Sequence, residues 1–565
     1  MGSEYERQRL KNIEENNRLL EQLGLGEASK EVFGKRSHDS DDAKPRQQKQ
    51  QKQQPAKKRV KREEDADKAV AADPPRRSSR RVPTTEEDKK ASREQLETEL
   101  EREAQRKDEK RRIEHETRRN DMPILELLKR DPVEYIHSKK CGESVKKEEK
   151  AKKEDDEDED DEEDDDENDE LIAKELSGYL ASRPAIPRPI HSVEDEKDTN
   201  SSDSVHKYKE RANSLVFKTI QKVTSNRIHS MQYHPDKESD LVFAGDKYGQ
   251  LGILKYDADK DTAQIWRLQP HVIGSPISCI RFDASDSRKA FTTSYDCTIR
   301  QLDFESGLST QLFRSNDGYE QETNRLITHL DIPHQTPSLL HAADNGGGLS
   351  LKDMRESRDR GVRYVLSKNK LGSVSINPSN EQQVCVASND HAVRIFDMRM
   401  VKKHCNTLEP ITEDEDDLPY YDNREEIGML HRTIHGKAVT SAYYSPTGSN
   451  ILSTSFDNTV KVFDDKLNVV NSIKHNNETG RWLSVFRMQW INPAPWTGVP
   501  TSFITPSMKR SLEMWTMGDR APSADLVDTE NITAVPAVVS AKPFTGLDDL
   551  SIAGGNGSGK VVLFM

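Results

Sequence analysis

The sequence predicts an all-β fold: a seven-bladed β-propeller preceded by a long, largely disordered, partly helical N-terminal region. Three observations carry this reading. Between Arg227 and Met565 a strand-turn-strand pattern recurs about seven times, most clearly in VTSAYYSPTGSNILSTSFDNTVKVFD (439–464), SVSINPSNEQQVCVASNDHAVRIFD (373–397) and ISCIRFDASDSRKAFTTSYDCTIRQLD (277–303). Each copy runs from an alternating apolar strand through a polar turn to a small-residue strand, an Asp-bearing tight turn and a third apolar strand. Sheets this small cannot bury both faces alone, so the copies must stack around an axis. Finally, apolar residues are 32% and charged residues 33% of the chain, and the charge is concentrated before residue 213.

The weaker copies fit the same frame. Residues 227–257 and 326–353 keep the turn aspartate, as Asp246 and Asp344, whereas 484–516 loses it and the last copy ends in GGNGSGKVVLFM. The blade ends Asp257, Asp303, Asp353, Asp397, Asp464, Thr516 and Met565 lie 44 to 67 residues apart. A compact WD-repeat blade takes roughly 40–45, so the excess is insertion. The final copy stops one strand short, and SLVFKTI (214–220) is placed to supply the missing edge and close the ring.

The chain divides by composition into a short amphipathic helix (1–24), a disordered basic arm (25–83), a charged helical segment (84–136), a disordered linker with an acidic tract (137–212) and the propeller (213–565). In the first segment Ser3 and Glu6 form a capping box, Leu10, Ile13, Leu20 and Leu23 share a face, and Gly24 ends the helix. So short a helix either frays alone or is a docking peptide. The tract 154–170 carries sixteen acids in seventeen residues and is expected to stay extended. It serves as a soluble spacer, folds back over the basic arm, or mimics nucleic acid towards histones.

The arm holds nine Lys/Arg and no acid between Ala43 and Arg62. Lys57, Lys58, Arg59, Lys61 and Arg62 read as a nuclear import signal or as phosphate contacts, and Arg76, Arg77, Arg80 and Arg81 suit insertion into a minor groove, the alternative being solvated disorder alone. Five scattered cysteines without CxxC pairing read as reduced thiols in an intracellular, soluble protein, and no signal peptide or spanning segment is evident. No metal or other cofactor is expected.

Catalysis finds little support. GGNGSGK (554–560) matches the spacing of a phosphate-binding loop, but Val561 replaces the hydroxyl residue and a strand follows where a helix is needed, so a hairpin turn is expected. Asp296, Asp390 and Asp457 are assigned to hydrogen bonds within their turns, with His435 as a structural partner. Two connections stand out. Residues 406–431 form an acidic insertion with Tyr420 and Tyr421, suited to a basic partner or to solvent. Residues 473–490, IKHNNETGRWLSVFRMQW, gather Lys474, His475, Asn476, Asn477, Arg481 and Trp482. Cations and amides hold phosphates and base edges, and an aromatic side chain stacks on an unstacked base; the alternative is that Trp482 packs beneath the blade rim.

The N-terminal YERQRLKNIEENNRLLEQLGL, the PRRSSRR cluster and the propeller stretches HGKAVTSAYYSP, TGRWLSVFRMQW and IFDMR together resemble the fungal DNA damage-binding WD-repeat proteins, which are related to WD-repeat protein 76 and to the small subunit of the damaged-DNA-binding complex. The resemblance implies a nuclear protein that binds single- and double-stranded DNA, damaged and undamaged, favours ultraviolet-irradiated duplex, and acts in DNA repair or genome maintenance on chromatin, with no enzymatic activity. It aligns LSVFRMQW with the strand after the lesion wedge of the related subunit, which places Gly480, Arg481 and Trp482 at the wedge although the wedge residues themselves differ. It also implies an alternative: a chromatin-associated interaction scaffold, or a substrate receptor that docks on a cullin-ligase adaptor through a D-x-R blade end. Asp353 with Arg355 and Asp397 with Arg399 match that pattern, Lys352 and Phe396 replace the usual Trp, and each Arg can equally pair with its own Asp.

Overall fold

The computed structural model describes residues 121–128, 160–183, 202–236, 240–283, 285–315, 325–357, 360–411, 420–423, 425–491, 500–543 and 546–565, with the backbone alone for 160–170. The N-terminal helix, the basic arm and most of the charged helical segment expected from sequence lie outside these residues.

Seven antiparallel sheets follow one another along the chain as blades 1 to 7. Blade 1 is built from Ile228–Tyr233, Asp240–Asp246, Leu251–Asp257 and Thr262–Leu268, running from the innermost strand to the outermost. Blades 2 to 6 repeat this order. Blade 7 takes only Pro536–Ala541, Ile552–Asn556 and Lys560–Phe564 from the C-terminal stretch, and its outermost strand is Phe217–Lys222. The ring thus closes where the sequence predicts, two or three residues later than SLVFKTI suggests, because Ser214 still belongs to a helix. Val216 and Met565 complete the closure with reciprocal backbone hydrogen bonds of 3.0 and 3.1 Å.

Each gap between blades holds its own apolar cluster, which is why the sheets stack. Phe243, Ile253 and Trp266 of blade 1 meet Ile280, Phe282 and Leu302 of blade 2, while Val223 and Ile228 meet Val561 and Leu563 across the closing gap. Where the turn aspartates are kept, they fix the central hairpins. Asp344 accepts from the N–H groups of Gly346 and Gly348 at 2.8 and 2.9 Å, and in blade 7 Asn556 does the same for Ser558 and Lys560. GGNGSGK is therefore strand, turn and strand. Gly559 has φ +79°, and a Cβ there would meet the Thr224 carbonyl oxygen at 2.1 Å, so this turn requires glycine.

Three departures from the sequence reading concern segments that wrap the ring. The linker region contains two helices. With α1 as Ile124–Leu128, α2 spans Asp160–Ala181 and α3 spans Ser202–Ser214. The second half of the acidic tract is thus the N-terminal half of α2 rather than an extended chain. Helical N-termini favour acidic residues, and the α2 residues after Leu171 supply an apolar anchor: Leu176 and Leu180 are buried, and Tyr179 stacks on Trp266 at 6.2 Å. The third helix buries Tyr208 and Ala212 between blades 6 and 7, and Lys209 pairs with Asp519 at 2.8 Å.

Two blades also gain a fifth strand. Met122–Pro123 pairs with blade 2, and Tyr420–Asp422 pairs in parallel with Val362–Val365 of blade 3. Tyr421 stacks on Tyr364 at 5.9 Å, and the guanidinium groups of Arg325 and Arg363 lie over Tyr420. The tyrosine pair of the acidic insertion is therefore a clasp on blade 3; residues 412–419 lie outside the described ones. A further helix, α4 (Met398–Cys405), precedes this clasp and is capped by Asp397. Among the described residues the cysteines are buried free thiols, and no helix is long and apolar enough to cross a membrane.

Candidate nucleic-acid interface

Each outermost strand hands over to the next innermost strand on one face of the ring, here the upper face. Ile228 lies opposite Asp246, so the central hairpin turns share that face. The connection from blade 5 to blade 6 therefore emerges there.

It begins at Lys474, the exposed last residue of the blade 5 outer strand, and its next residues separate into two sets. His475 and Asn477 point inward. The His475 Nδ1 lies 2.7 Å from Asn477 Oδ1, and Asn477 Nδ2 donates to the carbonyls of Ser455 and Thr459 at 2.8 and 3.1 Å. Asn477 N–H in turn donates to Asn458 Oδ1 at 2.9 Å. These two residues, placed among the DNA contacts by sequence reasoning, are buried posts that tie the connection to the blade 5 hairpin. The reason is legible in the repeat. His271, His435 and His475 all follow an outermost strand, and the first two bond to the turn aspartates Asp296 and Asp457 at 2.9 and 3.2 Å. Blade 6 has lost that aspartate, so His475 turns to Asn477 instead.

Asn476, Arg481 and Trp482 remain outside. Gly480 has φ +58° and opens into free space, which lets the chain reverse. Trp482 is 76% exposed, and the Arg481 guanidinium lies over its ring at 4.9 Å. An indole this exposed contributes nothing to the core. The connection is nonetheless held at both sides: Arg227 Nη1 donates to the Arg481 carbonyl at 3.0 Å, and the Ser484 hydroxyl donates to the Ile228 carbonyl.

Beside this projection lies a cationic mouth that sequence reasoning missed. Lys370 Nζ donates to the Tyr295 hydroxyl at 3.0 Å, and the Tyr295 ring stands edge-on to His229 at 5.9 Å. Burial pushes the His229 imidazole down to about 3, and Arg487, Arg227, Lys370 and Lys247 push in the same direction. Four cations from four separate stretches of chain thus act on one neutral ring. Arg487 lies deepest, donating to the carbonyls of Ser278, Thr328 and Gly372 at 3.4, 3.4 and 3.2 Å and so linking blade 6 to blades 2, 3 and 4.

The acids of this face are largely committed elsewhere. Asp344 pairs with Arg363 at 2.6 Å and Asp390 with Arg394 at 2.5 Å, while Glu478 lies 3.5 Å from Lys437. What remains towards solvent around the mouth is positive and aromatic: Arg227, Lys247, Tyr248, Tyr295, Lys370, Arg481 and Trp482. Phosphates and exposed bases suit such a surface.

The D-x-R arginines lie at the opposite ends of their strands. Arg355 Nη2 donates to Asp353 Oδ2 at 2.5 Å and Arg399 Nη2 to Asp397 Oδ2 at 2.7 Å, so each guanidinium is turned onto its own aspartate. Lys352, in the usual Trp position, is buried and donates to the carbonyls of Glu356, Ser357 and Arg360. Phe396 is buried as well. Lys57, Lys58, Arg59, Lys61, Arg62, Arg76, Arg77, Arg80 and Arg81 lie outside the described residues. Among the described residues no group of three or more His, Cys, Asp or Glu could hold a metal ion.

Comparison with known proteins agrees with this architecture. Residues 428–464 match the family model described as WD domain, G-beta repeat. The chain is 31% identical over 481 residues to DNA damage-binding protein CMR1 of Cryptococcus neoformans, covering 69% of this chain and 78% of that protein. It is 29% identical over 361 residues to the protein of that name from Phaeosphaeria nodorum, with 61% and 66% covered. The corresponding Mycosarcoma maydis protein is 24% identical over 691 residues, spanning 99% of this chain and 98% of the relative. On the strength of the ring and of these relationships, the chain belongs to the CMR1 family of fungal WD-repeat DNA damage-binding proteins.

Proposed function

We propose that this protein binds DNA through the upper face of its propeller and favours damaged, ultraviolet-irradiated duplex over intact duplex while also accepting single strands. The observation that carries the reading is Trp482, three-quarters exposed under Arg481 at the edge of the cationic mouth. Arg227, Lys247 and Lys370 would meet backbone phosphates, and Trp482 would stack on a base that damage has loosened from its partner. A lesion lowers the cost of unstacking, so an exposed wedge discriminates without reading sequence. The basic arm would add salt-dependent, sequence-blind affinity and direct the protein to the nucleus. The protein does no chemistry on the DNA in this reading; the ring presents and holds. The competing reading, an adaptor-docked ligase receptor, would use Arg355 and Arg399, which are exposed and paired with Asp353 and Asp397 within their own turns.

The test is a titration of the full chain and an R481A/W482A double variant against intact, irradiated and single-stranded DNA at several salt concentrations. Loss of most of the preference for irradiated duplex in the double variant supports the reading. Unchanged preference in a folded double variant would sink it.

A further inference from the structure

Below Arg487 the central channel widens into a cup of about 290 Å³ that opens on the lower face, opposite the DNA-facing surface proposed above. Its lining descends the innermost strands and ends at residues that follow them, such as Pro333, Pro378 and Pro446. Of the upper mouth's charged and aromatic residues only Arg487 and His229 contribute, and Val485 is the one lining residue that precedes Arg487 in the blade 6 entry. We propose that this cup is a binding site for a carboxylate group, borne by a small organic acid or by an acidic peptide presented to the lower face.

The chemistry follows from what lines it. Arg281 and Arg487 bring two permanent positive charges, and Asp331 brings one negative charge, 3.8 Å from Arg281 Nε and already accepting the Ile376 N–H at 2.8 Å. His329 adds no charge: it lies 3.2 Å from Arg281 Nη2, and burial together with Arg281 and Arg487 holds its imidazole well below the usual range. Glu381, at the rim, accepts from Gln335 N–H and from the Thr336 hydroxyl at 3.2 Å. Below the rim, two guanidinium groups stand against one carboxylate, and Glu381 at the rim brings the lining as a whole to neutrality; so modest a field suits a carboxylate better than a phosphate of charge −1.5 to −2.

Two polar groups add direction. Gln489 Oε1 is buried with no hydrogen-bond partner among the described residues, and so is ready to accept an N–H or O–H from whatever carries the carboxylate. Tyr443 also lines the cup, its ring against that of His329 at 5.3 Å. A buried acceptor left unsatisfied is costly in a fold that satisfies nearly all of them. A ligand with a donor beside its carboxylate, as a peptide has, would meet Arg281 and Gln489 together.

The test uses the full chain with two probes, radiolabelled succinate in equilibrium dialysis and fluorescein-labelled Gly-Asp-Glu-Asp-Gly in anisotropy, with inorganic phosphate as competitor. Arg281→Gln is the principal variant because Arg487 ties four blades together. Tyr443→Phe serves as a second variant that keeps the packing. Saturable binding of either probe is expected, weakened about ten- to a hundred-fold by Arg281→Gln, with DNA affinity unchanged; the thermal midpoint falls for Arg281→Gln, which leaves Asp331 without its cationic partner, and stays in place for Tyr443→Phe. Peptide binding without succinate binding assigns the peptide as the source, and binding of both assigns free acids as well. The proposal is overturned if neither probe saturates, if phosphate competes more strongly than succinate, or if both folded variants bind like the parent. Loss of DNA binding by upper-face variants leaves this site untouched, so the two proposals fail separately.

Discussion

Arg227 donates a hydrogen bond to the backbone carbonyl of Arg481 at 3.0 Å, so the entry into blade 1 braces the connection that carries Trp482. Trp482 is exposed and makes no core contact, and truncating it should leave stability within about 0.5 kcal/mol of the parent. Trp482→Ala is expected to lower affinity for irradiated duplex by about 1–3 kcal/mol, the range for one stacked base, and to lower affinity for intact duplex less. Arg227→Ala should weaken both, because it removes a cation, and irradiated duplex somewhat more, because it also releases the brace on the connection that carries Trp482. Anisotropy titrations with the two duplexes check this, and equal losses for Trp482→Ala on both would refute base stacking.

Lys247 and Lys370 make different contacts around the same mouth. Lys247 is exposed beside Tyr248, and Lys370 is held by the Tyr295 hydroxyl. If each meets one phosphate, alanine at either position should reduce the magnitude of the log–log salt slope on duplex by about 0.9, and the double variant by about twice that. Any truncated protein used to separate arm from ring must begin well before residue 213, since Tyr208 of α3 and Leu176 and Leu180 of α2 are part of the folded core.

His475 and Asn477 illustrate a different failure from the one expected for a contact residue. Asn477→Ala leaves the carbonyls of Ser455 and Thr459 and the His475 ring without their partner, a loss of about 1–3 kcal/mol. A lowered urea midpoint with an unchanged m-value is expected, with DNA affinity affected only as far as the loop loosens. Lys474→Ala should leave the midpoint where it is. A stable Asn477→Ala protein with impaired DNA binding would instead restore that residue to the interface.

The seven blades and the closing strand were legible because the repeat declares itself: alternating strands around an Asp turn, and a last copy one strand short. At Trp482 the sequence leaves two readings open, a projecting contact beside Gly480 and Arg481 or packing beneath the blade rim, and its exposure decides for projection. Segments without periodicity were not legible. Met122–Pro123 and Tyr420–Asp422 pair with strands far away in sequence, and the anchor of α2 is a few apolar residues behind an acidic run that dominates its composition. The mouth escaped notice because Arg227, Lys247, Lys370 and Arg487 are single cations in separate turns and strands, brought together only by ring closure. Arg487 sits inside a motif, LSVFRMQW, that reads as a buried strand.

Asp246 offers a test of how the hairpin aspartates are kept charged. In other blades the turn aspartate is answered by Arg363, Arg394, His271 or His435. Asp246 has backbone N–H groups from Tyr248 and Gln250 on Oδ1, its Oδ2 is buried with no hydrogen-bond partner among the described residues, and its further neighbour Asn226 is neutral. Burial pushes its carboxyl up from 3.8 to about 6. The folded protein then keeps this proton to higher pH than the unfolded chain does, so stability falls as pH rises from about 4 to about 6 and stays lower above it. The deficit at neutral pH is on the order of 3 kcal/mol. Asp246→Asn retains an oxygen for both N–H groups and carries no charge, so it should be more stable than the parent at pH 7 and nearly equal to it at pH 4. Urea midpoints of both proteins at the two pH values check this, because the titration of every other group cancels in the difference. A stability gap independent of pH would show that Asp246 is charged in the fold at little cost.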